Sequence, residues 1–499
     1  MGVMKSLVKD TALYGVSSIF GRMLNWLLTP LFISTLSTKA EYGIVTNLYS
    51  YVAIIMVILT FGMETGLFRF ANQKDKYNPT TVYSTTLISV GTVVLLFFIF
   101  VIIFIRPVTG WIGDGKIAVS YVFMMLWIVC LDAFCCIPFA YLRYKQRPLR
   151  FAALRMLQII LNILFCLFFL VVCPYIYKHH PELISWFYRP DYLVGYILIS
   201  NLLASSIQTC FLLPELTGFR YQLDVTLLKK MLRYSLPLLV LGIAGMINQT
   251  IDKIILPKMY VGDGDGFDEL GVYGACFKLG VIMVMFTQAF RYAFEPFIFS
   301  RSNKADNRQS YADATKYFII LGLLVFLGVS FYLDILKYFI PNRNYWDGLR
   351  IVPIVMMGEL FFGIYFNLSL WYKLTDQTRW GAIFSILGCV IIVLINVLFI
   401  PHYGYMACAW AAFIGNLAIM FISYFMGQRK YPIPYDLKTI GLYFGLAMLL
   451  YMAAVLLPVE NRWLRWLYHA FLICIYLVVL IKRDLPLKEI PYLNKILRR

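Results

Sequence analysis

Long apolar stretches alternate with short polar ones from end to end of this chain. A membrane-spanning helix needs about 20 consecutive, mostly apolar residues. Runs of that kind recur about fourteen times, at 11–35, 43–68, 81–105, 117–142, 151–175, 192–215, 234–257, 270–299, 317–340, 350–372, 380–401, 404–427, 437–458 and 463–481. No segment between them has room for a soluble domain. The pattern predicts an all-α integral membrane protein. Its tightest join turns at Pro401-His402-Tyr403-Gly404.

Lysine and arginine collect on the cytoplasmic side of such proteins. With the N-terminus inside, the inner segments hold roughly 28 of them and the outer loops roughly 11. The densest inner clusters are Arg143, Lys145, Arg147, Arg150 and Arg220, Lys229, Lys230, Arg233. An even helix count places the basic tail Lys495, Arg498, Arg499 inside as well. Trp111, Trp186, Trp346, Trp463 and Trp466 fall outside, as an aromatic belt would. The expected location is a multi-pass membrane protein with both termini cytoplasmic.

A faint repeat runs through this pattern. Glu41-Tyr42-Gly43 follows the first helix and Glu269-Leu270-Gly271 follows the seventh. At an offset of about 227, Pro30 falls on Pro257, Asn25 on Asp252 and Arg22 on Gln249. Six helices separate the copies, so both face the same way and form a parallel repeat. The expected architecture is two six-helix lobes related by a parallel pseudo-two-fold, plus a C-terminal helix pair. The divisions are 1–220 for helices 1–6, 221–430 for helices 7–12, and 431–499 for helices 13–14 and the tail.

Composition agrees: 61% hydrophobic and 14% charged residues, where soluble domains carry about a quarter charged. The net charge of +18 belongs to the inner loops. No basic helix stands apart from the apolar runs, so a nucleic-acid partner is not expected. The ten cysteines lie in or beside apolar runs without a Cys-x-x-Cys pair, and read as small buried residues. The first run is too long for a cleavable signal and carries Arg22. Met1-Gly2-Val3-Met4-Lys5-Ser6 fits a myristoylation pattern, but the next segment already spans a bilayer. His179, His180, His402 and His469 offer no metal spacing. Asp263-Gly264-Asp265-Gly266-Phe267-Asp268-Glu269 lacks the spacing of a calcium loop and reads as an outer turn. No phosphate loop or nucleophile elbow appears. Neither catalytic residues, metal nor cofactor is expected.

The chemistry must then rest on polar groups inside the spans. A charge in hydrocarbon costs about 3 kcal/mol or more, so each needs a cavity or a partner. The basic ones are Arg22, Arg155, Lys253, Lys278 and Arg291. The acidic ones include Glu64, Asp132, Asp252, Glu295 and Glu359. Arg22 sits half-way down helix 1, with Ser18 and Asn25 on its face. It reads either as an anion-binding group in a central cavity or as the buried partner of an acid. Asp252-Lys253 lies towards the outer end of helix 7, where Lys253 either lines a cavity or snorkels outward. Lys278 in helix 8 is similar. Arg291 and Glu295 have the spacing of an intrahelical pair. Glu64, five residues before Arg69, is a cation or proton site or a boundary pair. Asp132 is a third candidate for ion coupling, beside Asp252 and Glu64; Glu295 could gate.

Several stretches together resemble a known family. They include Thr29-Pro30-Leu31-Phe32, Glu41-Tyr42-Gly43-Ile44-Val45, Phe61-Gly62-Met63-Glu64 and Phe68-Arg69-Phe70. Further on stand Ile251-Asp252-Lys253-Ile254-Ile255-Leu256, Gly271-Val272-Tyr273, Phe290-Arg291-Tyr292 and Asn396-Val397-Leu398-Phe399-Ile400-Pro401. In order and spacing they resemble the bacterial polysaccharide-biosynthesis flippases of the multidrug/oligosaccharidyl-lipid/polysaccharide (MOP) exporter superfamily. The resemblance implies fourteen helices in two lobes and a bacterial inner-membrane location. It implies transfer of an undecaprenyl-pyrophosphate-linked oligosaccharide to the outer leaflet, with a polysaccharide polymerase as a further partner. It also implies a cationic central cavity for the head group, to which Arg22, Asn25, Lys253, Lys278 and Arg291 are assigned. The turn after helix 7 departs from the pattern, lengthened by Gly262 to Asp268.

Physics favours the same class. A glycan head group cannot cross hydrocarbon unaided, and two lobes rocking about a polar cavity would carry it while its lipid tail stays in the bilayer. The alternatives are a lipid II flippase or a multidrug/cation antiporter of the same superfamily. A membrane polymerase or glycosyltransferase is a third class. It would need an aspartate pair or a large outer loop, and none here exceeds about twenty residues.

Overall fold

The computed structural model describes residues 20–301, 308–375, 377, 379–457 and 459–484, the side chains of 293–301 excepted. Ser18, the N-terminal hexapeptide, the Glu295 side chain and the tail with Lys495, Arg498 and Arg499 lie outside the described residues. Helix α1 covers residues 20–35. Thirteen further helices are long and apolar enough to cross a membrane. They are α2 (Lys39–Ala71), α3 (Pro79–Ile103), α4 (Val119–Tyr144), α5 (Pro148–His179), α6 (Leu193–Leu216), α7 (Val225–Met259) and α8 (Gly266–Tyr292). They continue with α9 (Arg308–Phe331), α10 (Arg343–Leu374), α11 (Arg379–Tyr403), α12 (Tyr405–Lys430), α13 (Leu437–Leu456) and α14 (Arg462–Arg483). Each matches one run of the sequence.

Two apolar runs outlast their helices. α3 stops at Ile103, and a short helix, Ile105–Gly113, follows with Arg106 exposed in its first turn. α9 stops at Phe331, and Leu333–Leu336 follows with Asp334 paired to Lys337 at 3.6 Å and Arg465 at 2.8 Å. α2 bends at Phe61-Gly62, both with positive φ. Gly62 lies so near α7 that an added Cβ would stand 3.0 Å from the Ser235 carbonyl oxygen. The expected four-residue turn between α11 and α12 narrows to Gly404 alone, at φ 54° and ψ −135°, a conformation that side chains resist. In α5, a π-helical stretch at Phe168–Val172 absorbs Pro174, which lacks an N–H to donate.

Loops of the two sets gather at opposite ends, named inner and outer after the expected orientation. At the inner end Glu64 pairs with Arg143, Arg150 reaches Glu215 at 3.0 Å, and Lys316 reaches Asp484 at 3.6 Å. At the outer end Lys116 reaches Asp265 at 2.8 Å. Trp111, Trp186 and Trp463 are exposed there.

Without a hydrophobic force between helices in lipid, close packing needs small residues. α2 crosses α8 on Gly43 and Gly271 near the outer end. A Cβ on Gly43 would overlap the Phe267 carbonyl, and one on Gly271 would overlap the Lys39 carbonyl. Seven cysteines are buried, but Cys210 and Cys474 are exposed and Cys389 is half-buried.

Candidate functional site

Two polar cavities lie side by side in the bundle. The first, of about 500 Å³, is lined by α1, α2, α4, α5, α6, α7 and α8. Among its walls are Asn25, Asp132, Lys253 and Lys278, four of the residues singled out from the sequence. The second, of about 280 Å³, contains Asp252, Lys253, Arg291 and Glu359. Lys253, Thr250, Phe277 and Val281 line both, so the Lys253 side chain stands between them.

The cations differ in how they are held. Lys253 does not snorkel outward. Its ammonium donates to both Asp252 carboxylate oxygens at 3.1 Å and to the Gln249 carbonyl at 2.9 Å. Its charge also faces the Phe277 ring at 4.4 Å. Tyr273 donates to Asp252 at 2.6 Å, so that carboxylate is held from two sides. Arg291 lies over the Phe366 ring at 4.3 Å. Lys278 is different: among the described residues it has no hydrogen bond and no ion pair, although it is partly buried in the cavity wall. Its backbone carbonyl is engaged, accepting from Trp26 Nε1 at 2.7 Å.

Arg22 is exposed and likewise lacks a hydrogen bond or ion pair among the described residues. It occupies the Asn25 face of α1, one turn nearer the inner end. Glu64 is not in either cavity. Its partner is Arg143 of α4 at the inner boundary, while Arg69 stacks on Tyr234 at 4.1 Å. Asp132 has no basic neighbour in its own helix, but Arg155 of α5 lies within its electrostatic range, and Ser205 of α6 donates to it at 3.0 Å.

Sequence reasoning gave no role to the uncharged polar wall opposite Lys278. Gln158 and Asn162 of α5 and Asn201 of α6 all face the first cavity. Gln158 donates to Ser205 at 2.8 Å, and Asn201 to Tyr49 at 2.8 Å. Their signal was the i, i+4 spacing of amides and hydroxyls inside apolar runs: 158 with 162, and 201 with 205. Glu359, also given no role, enters the second cavity from α10.

The outer end of this site is shut. Lys258 of α7 reaches the Trp111 carbonyl at 2.5 Å and lies 4.0 Å from its ring. Tyr42 of α2 meets Tyr345 of α10 edge-on, and Trp26 stacks on Phe339. The Lys116–Asp265 pair and the Gly43–Gly271 crossing complete the closure.

Residues 7–300 match the polysaccharide biosynthesis protein family, and residues 243–398 match the MatE family. A comparison with curated protein sequences found no significant match. Among solved structures, the lipid II flippase MurJ in an inward closed conformation superposes with a TM-score of 0.74 at 13% identity, over 95% of this chain and 99% of that one. An inward-facing multidrug resistance MATE transporter of the MOP superfamily superposes with a TM-score of 0.63 at 15% identity, over 82% and 94%. A MOP superfamily transporter from Pyrococcus furiosus, whose reverse pocket polarity is described as suggesting a different function, gives a TM-score of 0.59 at 15% identity, over 85% and 95%. Over nearly all of its length the chain shares the fold of the lipid II flippase, and the first family match spans more than half of it: this protein belongs to the polysaccharide biosynthesis protein family.

Proposed function

We propose that this protein flips an undecaprenyl-pyrophosphate-linked oligosaccharide across a bacterial inner membrane, with both termini cytoplasmic. The head group enters the first cavity while its lipid tail stays in the bilayer. Lys278 carries this reading. A lysine ammonium at membrane depth costs about 3 kcal/mol unless it is compensated. Among the described residues no acidic side chain pairs with Lys278, so an anionic ligand is the natural one. Lys253 adds a second cation that is only partly free, because Asp252 holds it. Such a site attracts a pyrophosphate without trapping it. Arg22, exposed one turn inward, would meet the head group on entry.

An organic-cation antiporter needs the opposite arrangement, a cavity whose unpaired charge is negative. A polysaccharide polymerase remains a proposed partner on the outer side, acting on the delivered glycan.

The test is head-group translocation in proteoliposomes with a fluorescent polyprenyl-pyrophosphate glycan. Lys278→Met should lower the initial rate at least ten-fold at normal insertion. Unchanged rates would remove the anionic-cargo reading. Faster transport of an organic cation than of the glycan lipid would favour the antiporter instead.

A further inference from the structure

The two walls of the first cavity differ in chemistry. Its cations, Lys253 and Lys278, stand on α7 and α8, while the wall from α5 and α6 carries Gln158, Asn162 and Asn201. A pyrophosphate and a sugar differ in the same sense: one needs charge, the other needs neutral donors and acceptors.

Hydrogen-bond bookkeeping fixes the direction of one of these amides. Asp132 accepts from the Ser205 hydroxyl at 3.0 Å. A hydroxyl has one proton, so Ser205 can then only accept from its other neighbour. That neighbour is Gln158, 2.8 Å away, which must present its NH₂ to Ser205. The Gln158 carbonyl oxygen is thereby left over, and it accepts from no described residue. An amide in water turns freely; this one is pinned through a chain that begins at a carboxylate.

We propose that the α5–α6 wall reads the first sugar of the glycan, and that Asp132 acts through Ser205 to present the Gln158 carbonyl to that sugar as a hydrogen-bond acceptor. The assignment rests on the head-group reading above. It gives Asp132 a positioning role. It also names the sugar class. A neutral sugar, with hydroxyl or N-acetyl donors, meets an acceptor oxygen. A uronic acid there would bring its carboxylate against that acceptor and towards Asp132.

The experiment measures equilibrium binding to the full-length protein in lipid nanodiscs. Its three probes are bare polyprenyl pyrophosphate, the same lipid with one N-acetylhexosamine, and the same lipid with one hexuronic acid. The wild type should bind the N-acetylhexosamine lipid most tightly of the three. Gln158→Leu and Asp132→Asn should each weaken it about ten-fold, the usual scale for one unmet polar contact, and leave the bare lipid unchanged. In Asp132→Asn the new amide can donate to Ser205, which frees the hydroxyl to donate to Gln158 and turns its carbonyl away. Asn162→Leu lies outside this chain and should show the same selective loss, so the wall stays testable if a relay variant misfolds. Equal weakening of the bare and sugar-bearing lipids, or of neither, overturns the proposal, as does preference for the hexuronic acid. Lys278→Met should weaken all three probes. If it weakens none, the head-group reading itself fails and this inference falls with it.

Discussion

Gly43 of α2 and Gly271 of α8 pack on each other reciprocally: a side chain on the first would strike the Phe267 carbonyl, and one on the second the Lys39 carbonyl. Phe267 precedes Gly271 by four residues, and Lys39 precedes Gly43 by four. The contact is therefore the same when the two helices are exchanged, as a two-fold along the membrane normal requires. The pairing also joins the two copies of the sequence repeat, Glu41-Tyr42-Gly43 and Glu269-Leu270-Gly271, despite the longer turn before α8. Gly271→Val puts a branched side chain against backbone that cannot yield. Overpacking of this kind costs about 1–3 kcal/mol, so the thermal midpoint in detergent should fall and transport should drop. Gly245, where an added Cβ meets nothing within 4 Å, serves as control, and Gly245→Ala should leave both nearly unchanged. A wild-type midpoint for Gly271→Val would mean that the crossing is looser than described.

The outer contacts should not be equal in strength. Lys116 and Asp265 are 53% and 30% exposed, and pairs of that kind contribute about 0–1 kcal/mol. Asp265→Asn should change the transport rate by less than about three-fold. Lys258 combines a hydrogen bond to the Trp111 carbonyl with that ring's face, so Lys258→Met should open the outer end more readily. Reactivity of an Asn25→Cys variant towards a membrane-impermeant thiol reagent added outside, in a background without the exposed Cys210 and Cys474, reports this. Higher reactivity in Asp265→Asn than in Lys258→Met would reverse the ranking.

Glu64 was read from the sequence as either an ion site or a boundary pair, and its place at the inner end, paired with Arg143, supports the second. Glu64→Gln should leave the response of transport to imposed proton and sodium gradients unaltered. Any loss of expression should be recovered by exchanging the charges, Glu64→Arg with Arg143→Glu. A Glu64→Gln variant that inserts normally but no longer responds to a gradient would restore its coupling role.

The span pattern was legible because each helix must satisfy its backbone internally over the full hydrocarbon thickness. That makes apolar length nearly sufficient to find it. Helix ends were less legible where apolar residues continue past them, as after Ile103 and Phe331, because apolar length alone does not mark where a helix breaks, and a partner such as Arg465 for Asp334 comes from a distant helix. Charged site candidates stand out against apolar runs, and Asn25, Asp132, Lys253 and Lys278 meet in one cavity. Partners from other helices are not visible in sequence: Arg143 of α4, which pairs with Glu64, and Arg155 of α5, which lies near Asp132. Gln158, Asn162 and Asn201 escaped notice because amides cost far less than charges in a span and do not interrupt it.

The Asp252 carboxylate binds the Lys253 ammonium at 3.1 Å and receives the Tyr273 hydroxyl at 2.6 Å. The aspartate therefore holds back a cation that would otherwise serve the cavity. Asp252→Asn should release Lys253 towards an anionic head group. Binding should tighten, but tight binding of cargo is not transport, since only interactions stronger in the crossing state accelerate it. The expected signature is a lower KM together with a lower kcat, and the split separates this from misfolding, which would lower the active fraction without moving KM. The driving force sharpens the test. An inside-negative potential assists outward movement of an anionic head group by about 2.3 kcal/mol per charge per 100 mV. If the potential is the main drive, Asp252→Asn should remain as sensitive to it as the wild type. If Asp252 instead carries a proton or sodium ion on the return step, the variant should lose its response to the corresponding gradient while keeping its response to potential. Proteoliposomes with potential, proton and sodium gradients imposed separately distinguish the two. An unchanged KM in Asp252→Asn would show that Lys253 is not restrained by this carboxylate during binding.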